Sequence, residues 1–300
     1  MNDRKQHVIK MSHQLFIDKG FQATSIQDIL DYSGISKGTF YNYFSSKNEL
    51  FIDLFKTIYR QMEKQRNELL IGQQPSDINI FVKQIELQLQ SNRRNKLVTL
   101  FEEVLVSNDE DLKQFIKNGQ LRMIRWLYSR FIDIFGEDKK PYLLDCAVMF
   151  MGILHHNIKY YSMAYDSKVD IYQVVQYSVN RVVTIVSDVS ASREQLLQPD
   201  ALYNWLSDCI KADQHFHQKM NDTIITLKKS FMQNEEQDRF IELLDFINDE
   251  VFHAKKPRKF LIESAISSLK KEQSLNQNEV SNLEQLITEY FGQLEKSVEA

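Results

Sequence analysis

The chain is 300 residues long, 43% apolar and 26% charged, with a formal net charge of −4, which excludes a global electrostatic pull toward nucleic acid and confines any DNA affinity to a local surface. Cys146 and Cys209 are its two cysteines, too few for a thiolate zinc cluster and in keeping with a reducing compartment. Eight glycines and four prolines exclude a loop-rich fold and predict an almost wholly helical, all-α chain of two or three units.

In chain order, residues 3–19 read as a helix with Ile9, Leu15 and Phe16 facing inward. The stretch GFQATSIQDILDYSGISKGTFYNYFSSKNEL over 20–50 then reads as a short helix, a turn, a second short helix and the start of a third. Ile26, Ile29 and Leu30 bury one face of the first short helix, and either Thr24 with Gln27 or Ser25 with Asp28 forms a capping box that starts it. Ser33-Gly34 makes the turn, where glycine permits a left-handed backbone. Ser36 caps the second short helix, in which Phe40 and Phe44 point inward and the other side chains point out. Ser46-Lys47-Asn48-Glu49 is a capping box for a longer helix.

This order is that of a helix-turn-helix DNA reader. The block resembles the DNA-binding domain of the tetracycline-repressor (TetR) family at Gly20-Phe21, Thr24-Ser25-Ile26, Asp28-Ile29, Gly34 through Tyr41, Tyr43-Phe44, Ser46-Lys47 and Glu49-Leu50. Asn42 and Tyr43 stand where that family often carries histidines, and Ser33 where alanine is common. The resemblance implies a DNA surface made of Thr24, Ser36, Lys37, Gly38, Thr39, Tyr41, Tyr43 and Lys47. Lys37, Gly38 and Thr39 would approach bases or adjacent phosphates, with Thr24, Tyr41, Tyr43 and Lys47 as phosphate clamps. It is sharp over residues 1–60 and continues as a pattern of helices to about 197. Packing of Tyr41 and Tyr43 as core fillers is the plain alternative.

Beyond the reader, helices are expected over about 47–71, 76–91, 95–107, 109–135, 141–164, 169–197, 200–232, 236–253, 258–272 and 277–297, with Pro75, Pro141, Pro199 and Pro257 each just before or at the start of a new one. The domains implied are 1–46, a reader; 47–197, an effector-binding and dimerisation region; and 198–300, a helical extension. Methionines and aromatics suit an adaptable apolar cavity, and the resemblance implies an effector pocket involving Tyr59, Phe101, Met123, Trp126, Met151 and His155, against the plainer reading that they are packed core. Val175, Val179, Val182 and Val186 form a helical seam, and Leu143, Phe150 and Leu154 a matching stripe. These stripes face either the protomer's core or a two-fold mate; the resemblance favours the dimer seam.

Residues 198–300 carry twelve Lys/Arg against eighteen Asp/Glu, which disfavours a second DNA site, and four amphipathic segments that need a surface to pack on. The preceding domain is the expected surface. No catalytic motif, cofactor motif or metal-ligand spacing is present: His155-His156 point about 100° apart on a helix. The N-terminus lacks an apolar signal core and the run 147–154 is too short for a bilayer, so a cytoplasmic protein without membrane contact is expected. The sequence thus predicts a dimeric, ligand-responsive repressor of a palindromic double-stranded operator, with a small-molecule effector and an efflux gene as the target the resemblance suggests. The alternative is a DNA-tethered scaffold whose tail recruits a protein.

Overall fold

Helices alone account for the regular structure among the described residues of this computed structural model, which are 3–105, 109–165, 170–205, 208–230, 237–253, 257–272 and 276–298. The first four are α1 (Asp3–Lys19), α2 (Ile26–Ser33), α3 (Lys37–Tyr43) and α4 (Lys47–Glu68). Then follow α5 (Ile78–Arg94), α6 (Leu97–Leu105), α7 (Glu110–Phe135), a 3-10 turn (Glu137–Tyr142), α8 (Leu143–Tyr165), α9 (Ile171–Ser192) and the short α10 (Ala201–Trp205). The C-terminal helices are α11 (Asp208–Ser230), α12 (Gln237–His253), α13 (Lys259–Lys270) and α14 (Gln277–Val298). Residues 2–69 with 73–206 form one compact unit, and residues 207–300 with 70–72 another.

Within the larger unit there are two cores. The first joins Val8, Phe16, Phe21, Ile29, Phe40, Phe44, Phe51 and Phe55 of the N-terminal helices to Leu97, Leu100 and Val104 of α6 and Leu112 and Ile116 of α7. The expected boundary at residue 46 is therefore not a break in packing. The second core gathers Phe81, Val82 and Ile85 of α5, Leu127 and Phe131 of α7, and the facing sides of α8 and α9. Asp145, in the first turn of α8, accepts from the backbone N–H groups of Leu196 and Leu197 at 2.7 and 2.9 Å, fixing the chain after α9.

This second core corrects the expected dimer seam. Leu143, Phe150, Leu154, Val175, Val179, Val182 and Val186 are all buried within a single protomer. Their stripes are the surfaces on which α8 and α9 pack against α5 and α7, so they cannot meet a partner's helices. A stripe with helical spacing records burial, and burial inside the chain satisfies it fully.

The C-terminal helices close on one another. Met220, Ile224 and Leu227 of α11, Phe240, Leu244, Ile247 and Val251 of α12, Ile262, Ile266 and Leu269 of α13, and Val280, Leu283, Ile287 and Phe291 of α14 make a third core. Phe216 stacks on Tyr290 at 5.2 Å, the Tyr290 hydroxyl donates to the Val251 carbonyl at 2.8 Å, and Lys228 pairs with Asp245 at 2.7 Å. The amphipathic faces that were expected to need the preceding domain find their apolar surface in this unit. The side chains of Cys209, Ile210, His215, His217 and His253 lie outside the described residues.

Candidate nucleic-acid interface

The reader is assembled by its caps. Of the two boxes open at the start of α2, Ser25–Asp28 is the one formed: the Ser25 hydroxyl accepts from the Asp28 N–H at 3.1 Å and the Asp28 carboxylate accepts from the Ser25 N–H at 2.7 Å. Lys19 pairs with Asp28 at 2.8 Å, and this contact, followed by those from Ser25, holds the Asp28 carboxyl well below the usual carboxylate range. Gly34 ends α2 in the left-handed conformation at φ +67°, which fixes the angle at which α3 departs. Ser36 caps α3 by accepting from the Thr39 N–H at 3.1 Å, and its hydroxyl lies 2.9 Å from that of Thr39. Ser46 caps α4 by accepting from Glu49 N–H, while the Glu49 carboxylate reaches back one residue further than a capping box requires, to Ser45 N–H at 2.6 Å.

Phe40 and Phe44 are buried and anchor α3, which leaves its other side free. Ser36, Lys37, Gly38, Tyr41 and Asn42 are exposed; Thr39 and Tyr43 are half-buried. Tyr41 is 47% exposed and stands edge-on to Phe40, whereas Tyr43 packs against the core beside Phe44. A Cβ on Gly38 would meet nothing in the chain closer than the Ser36 hydroxyl at 3.8 Å, so the protein itself does not demand a glycine there. A groove beside this face is lined by Asp3, Arg4 and His7 of α1 and by Ser33 to Ser36 and Thr39.

Two expected phosphate clamps are occupied elsewhere. Thr24 is buried, and its hydroxyl donates to the Gly20 carbonyl at 2.6 Å. The Lys47 ammonium lies 4.4 Å from the centre of the Phe21 ring and donates to the carbonyls of Phe21 and Thr24 at 2.8 and 2.7 Å. Burial lowers the Lys47 pKa against the opposing pull of Glu103 and Asp28. Lys47 therefore ties the loop before α2 to the start of α4. The Glu103 carboxylate on α6 joins the same loop by accepting from Gln22 N–H at 3.1 Å. Glu103 was visible in the sequence as a charge in an apolar helix, yet its partner stands 81 positions away and no local pattern announces it.

The six residues expected in an effector pocket are not brought to one place. Tyr59 and Phe101 pack with the first core, where burial pushes the Tyr59 hydroxyl up to about 12. Met123, Trp126 and Met151 pack against the second, and His155 is exposed. Tyr59 and Phe101 meet on Phe55, and Met123 and Trp126 meet on Arg66, whose importance the sequence did not signal.

Residues 8–54 match the family model for bacterial regulatory proteins of the tetR family. The chain is a transcriptional regulator with a tetR-family reader. It is 28% identical over 292 residues to the uncharacterized HTH-type transcriptional regulator YerO of Bacillus subtilis, covering 96% of each chain, so the similarity runs through the C-terminal helices. YuxN of the same organism, also an uncharacterized HTH-type regulator, is 24% identical over 168 residues, 51% of this chain and 53% of its own. The HTH-type transcriptional repressor DhaR of Mycobacterium sp. is 34% identical over 67 residues, 20% of this chain and 34% of its own. No solved structure matches the chain. Among the described residues of this regulator, no helix is long and apolar enough to cross a membrane, and no group of three or more His, Cys, Asp or Glu could hold a metal ion.

Proposed function

We propose that this tetR-family regulator is a dimeric repressor that inserts α3 into the major groove of a palindromic operator and leaves it when a small molecule enters the helices behind the reader. The observation that carries this reading is the single core joining the reader to α6 and the start of α7. With Glu103 holding the loop before α2, a shift of α6 or α7 moves the reader with it. Lys37, Gly38 and Tyr41, together with Thr39 at the helix start, supply the groove-facing surface. Ser36 contributes as the cap, and Thr24 and Lys47 as supports of the loop.

Dimerisation is assigned to the outward face of α8 and α9, which carries Met149, Tyr160, Met163, Tyr177 and Val183 exposed, with Met163 72% accessible. Two readers must then match half-sites one helical turn, about 34 Å, or a multiple apart. Sequencing of DNA fragments captured by the purified protein tests this: two inverted half-sites at such a spacing are expected, upstream of a transporter gene if the efflux assignment holds. Single unpaired sites would overturn the dimeric reading.

A second reading, a DNA-tethered scaffold, is favoured by one observation: the C-terminal helices have a core of their own. Deletion after Gln198 separates the two. A truncated chain that is equally stable and binds DNA normally favours the scaffold.

A further inference from the structure

Two arginines of the larger unit are buried, and their surroundings differ. Arg130 on α7 has a full set of acceptors: Nε donates to Gln84 Oε1 at 3.0 Å, Nη1 to the Asp133 carboxylate at 2.6 Å and Nη2 to the Pro75 carbonyl at 2.8 Å. Arg66 on α4 has no such set. It is 8% exposed, its Nη1 donates to the neutral Gln88 Oε1 at 3.1 Å, and the same nitrogen faces the Met123 sulfur at 3.8 Å, a weak acceptor. Its guanidinium lies 4.1 Å from the centre of the Trp126 ring, and its Nε–H is buried with no acceptor at all. Among the described residues no carboxylate forms an ion pair with it; Glu63 acts on it only through space and is exposed. Burial lowers the Arg66 pKa to about 10, so the group stays charged at neutral pH.

A buried guanidinium without a counter-ion is strongly unfavourable. A chain that keeps one beside an already neutralised arginine has a use for an anion there. We propose that Arg66 is the anchor for an organic anion, a carboxylate on an apolar body, held between α4, α5 and α7 with its carboxylate on the Nε edge of the guanidinium and its body against Trp126 and Met123. Arginine presents its donors as a planar fork that matches a carboxylate. Trp126 stacks on Phe81 at 6.0 Å, which continues an apolar lining toward α8. The inference rests on the ligand-responsive reading and gives that ligand its charge. A neutral or cationic effector would leave the Arg66 charge uncompensated.

The test uses the full chain carrying Trp205→Phe, which makes Trp126 the sole tryptophan. It is titrated with decanoate, decanol and decylamine while tryptophan emission and operator binding are both followed. Decanoate is expected to shift Trp126 emission and to bind at least about tenfold more tightly than decanol, with decylamine without effect. Arg66→Met should abolish that preference and melt no lower than its parent, because it replaces an unpaired buried cation with an apolar group of similar length. Equal binding of decanoate and decanol, no binding of decanoate, or a preference that survives Arg66→Met overturns the anchor. If decanol releases DNA without any charge preference, the ligand-responsive reading stands and the anchor falls. If decanoate binds through Arg66 while the operator stays bound, the anchor stands and the release mechanism falls.

Discussion

The reader and the α8–α9 pair carry the same kind of signal in sequence, an apolar stripe at helical spacing, yet only in the reader does the stripe lie opposite the face that the sequence assigned to a partner. Phe40 in α3 and Phe44 at its C-cap are buried, and the face proposed for DNA is what they leave over: Lys37, Gly38, Tyr41 and Asn42. In α8 and α9 the valine and leucine stripes look like a dimer seam, but they are the protomer's own core. Their outward faces are mixed: Met149, Tyr160 and Met163 on α8 are interspersed with Gly152 and His156. Periodicity identifies what is buried, and an interface between folded chains is read from the face that remains.

Charges placed on either side of α8 and α9 separate core from interface. Val182→Glu puts an unpaired carboxylate into the core and should cost about 3–5 kcal/mol, seen as a large drop in thermal stability with loss of helicity. Tyr160→Glu with Met163→Glu should leave stability within roughly 0.5 kcal/mol and shift sedimentation toward monomer. A stable but monomeric Val182→Glu variant would return the seam to the interface.

Smaller effects sharpen the reader side. Lys47→Ala removes two charge-assisted bonds to the loop before α2 and should lower stability by about 1–2 kcal/mol. Its salt slope of DNA binding should be unchanged, because no phosphate contact is lost. A slope flattened by roughly one unit with unchanged melting would instead make Lys47 a phosphate clamp. Smaller still is the effect of Asp28. Its carboxyl is depressed in the folded chain, by Lys19 first and Ser25 second, so its stabilisation is present above its unfolded pKa and is lost as pH falls through the acid range. Asp28→Asn should accordingly lose stability at neutral pH but show a shallower decline on acidification, followed by thermal melting from pH 7 to pH 3.

The reader was legible because its information is local. Ser25 with Asp28, Gly34, and Ser36 before α3 each act within four residues, and each takes the role its residue type allows. The helices of the remainder were legible too, since spacing alone sets them. What spacing does not contain is which buried face meets which. The C-terminal segments were read as amphipathic, but nothing in them stated that they would cover one another. Arg66 carries no local mark and Glu103 only that of a charge in an apolar helix, because their meaning depends on Trp126, Gln88 and Gln22, which arrive through tertiary packing.

The exposed side of α3 is the face proposed to read DNA, and titration of a captured operator at fixed salt measures its part in binding. Lys37→Ala and Tyr41→Ala touch no core contact beyond the edge of Phe40, so both variants should melt as the parent does. Each should weaken operator binding by about tenfold or more, and Lys37→Ala should also relax the preference for one base pair in each half-site. Wild-type affinity and specificity in both variants would contradict the account.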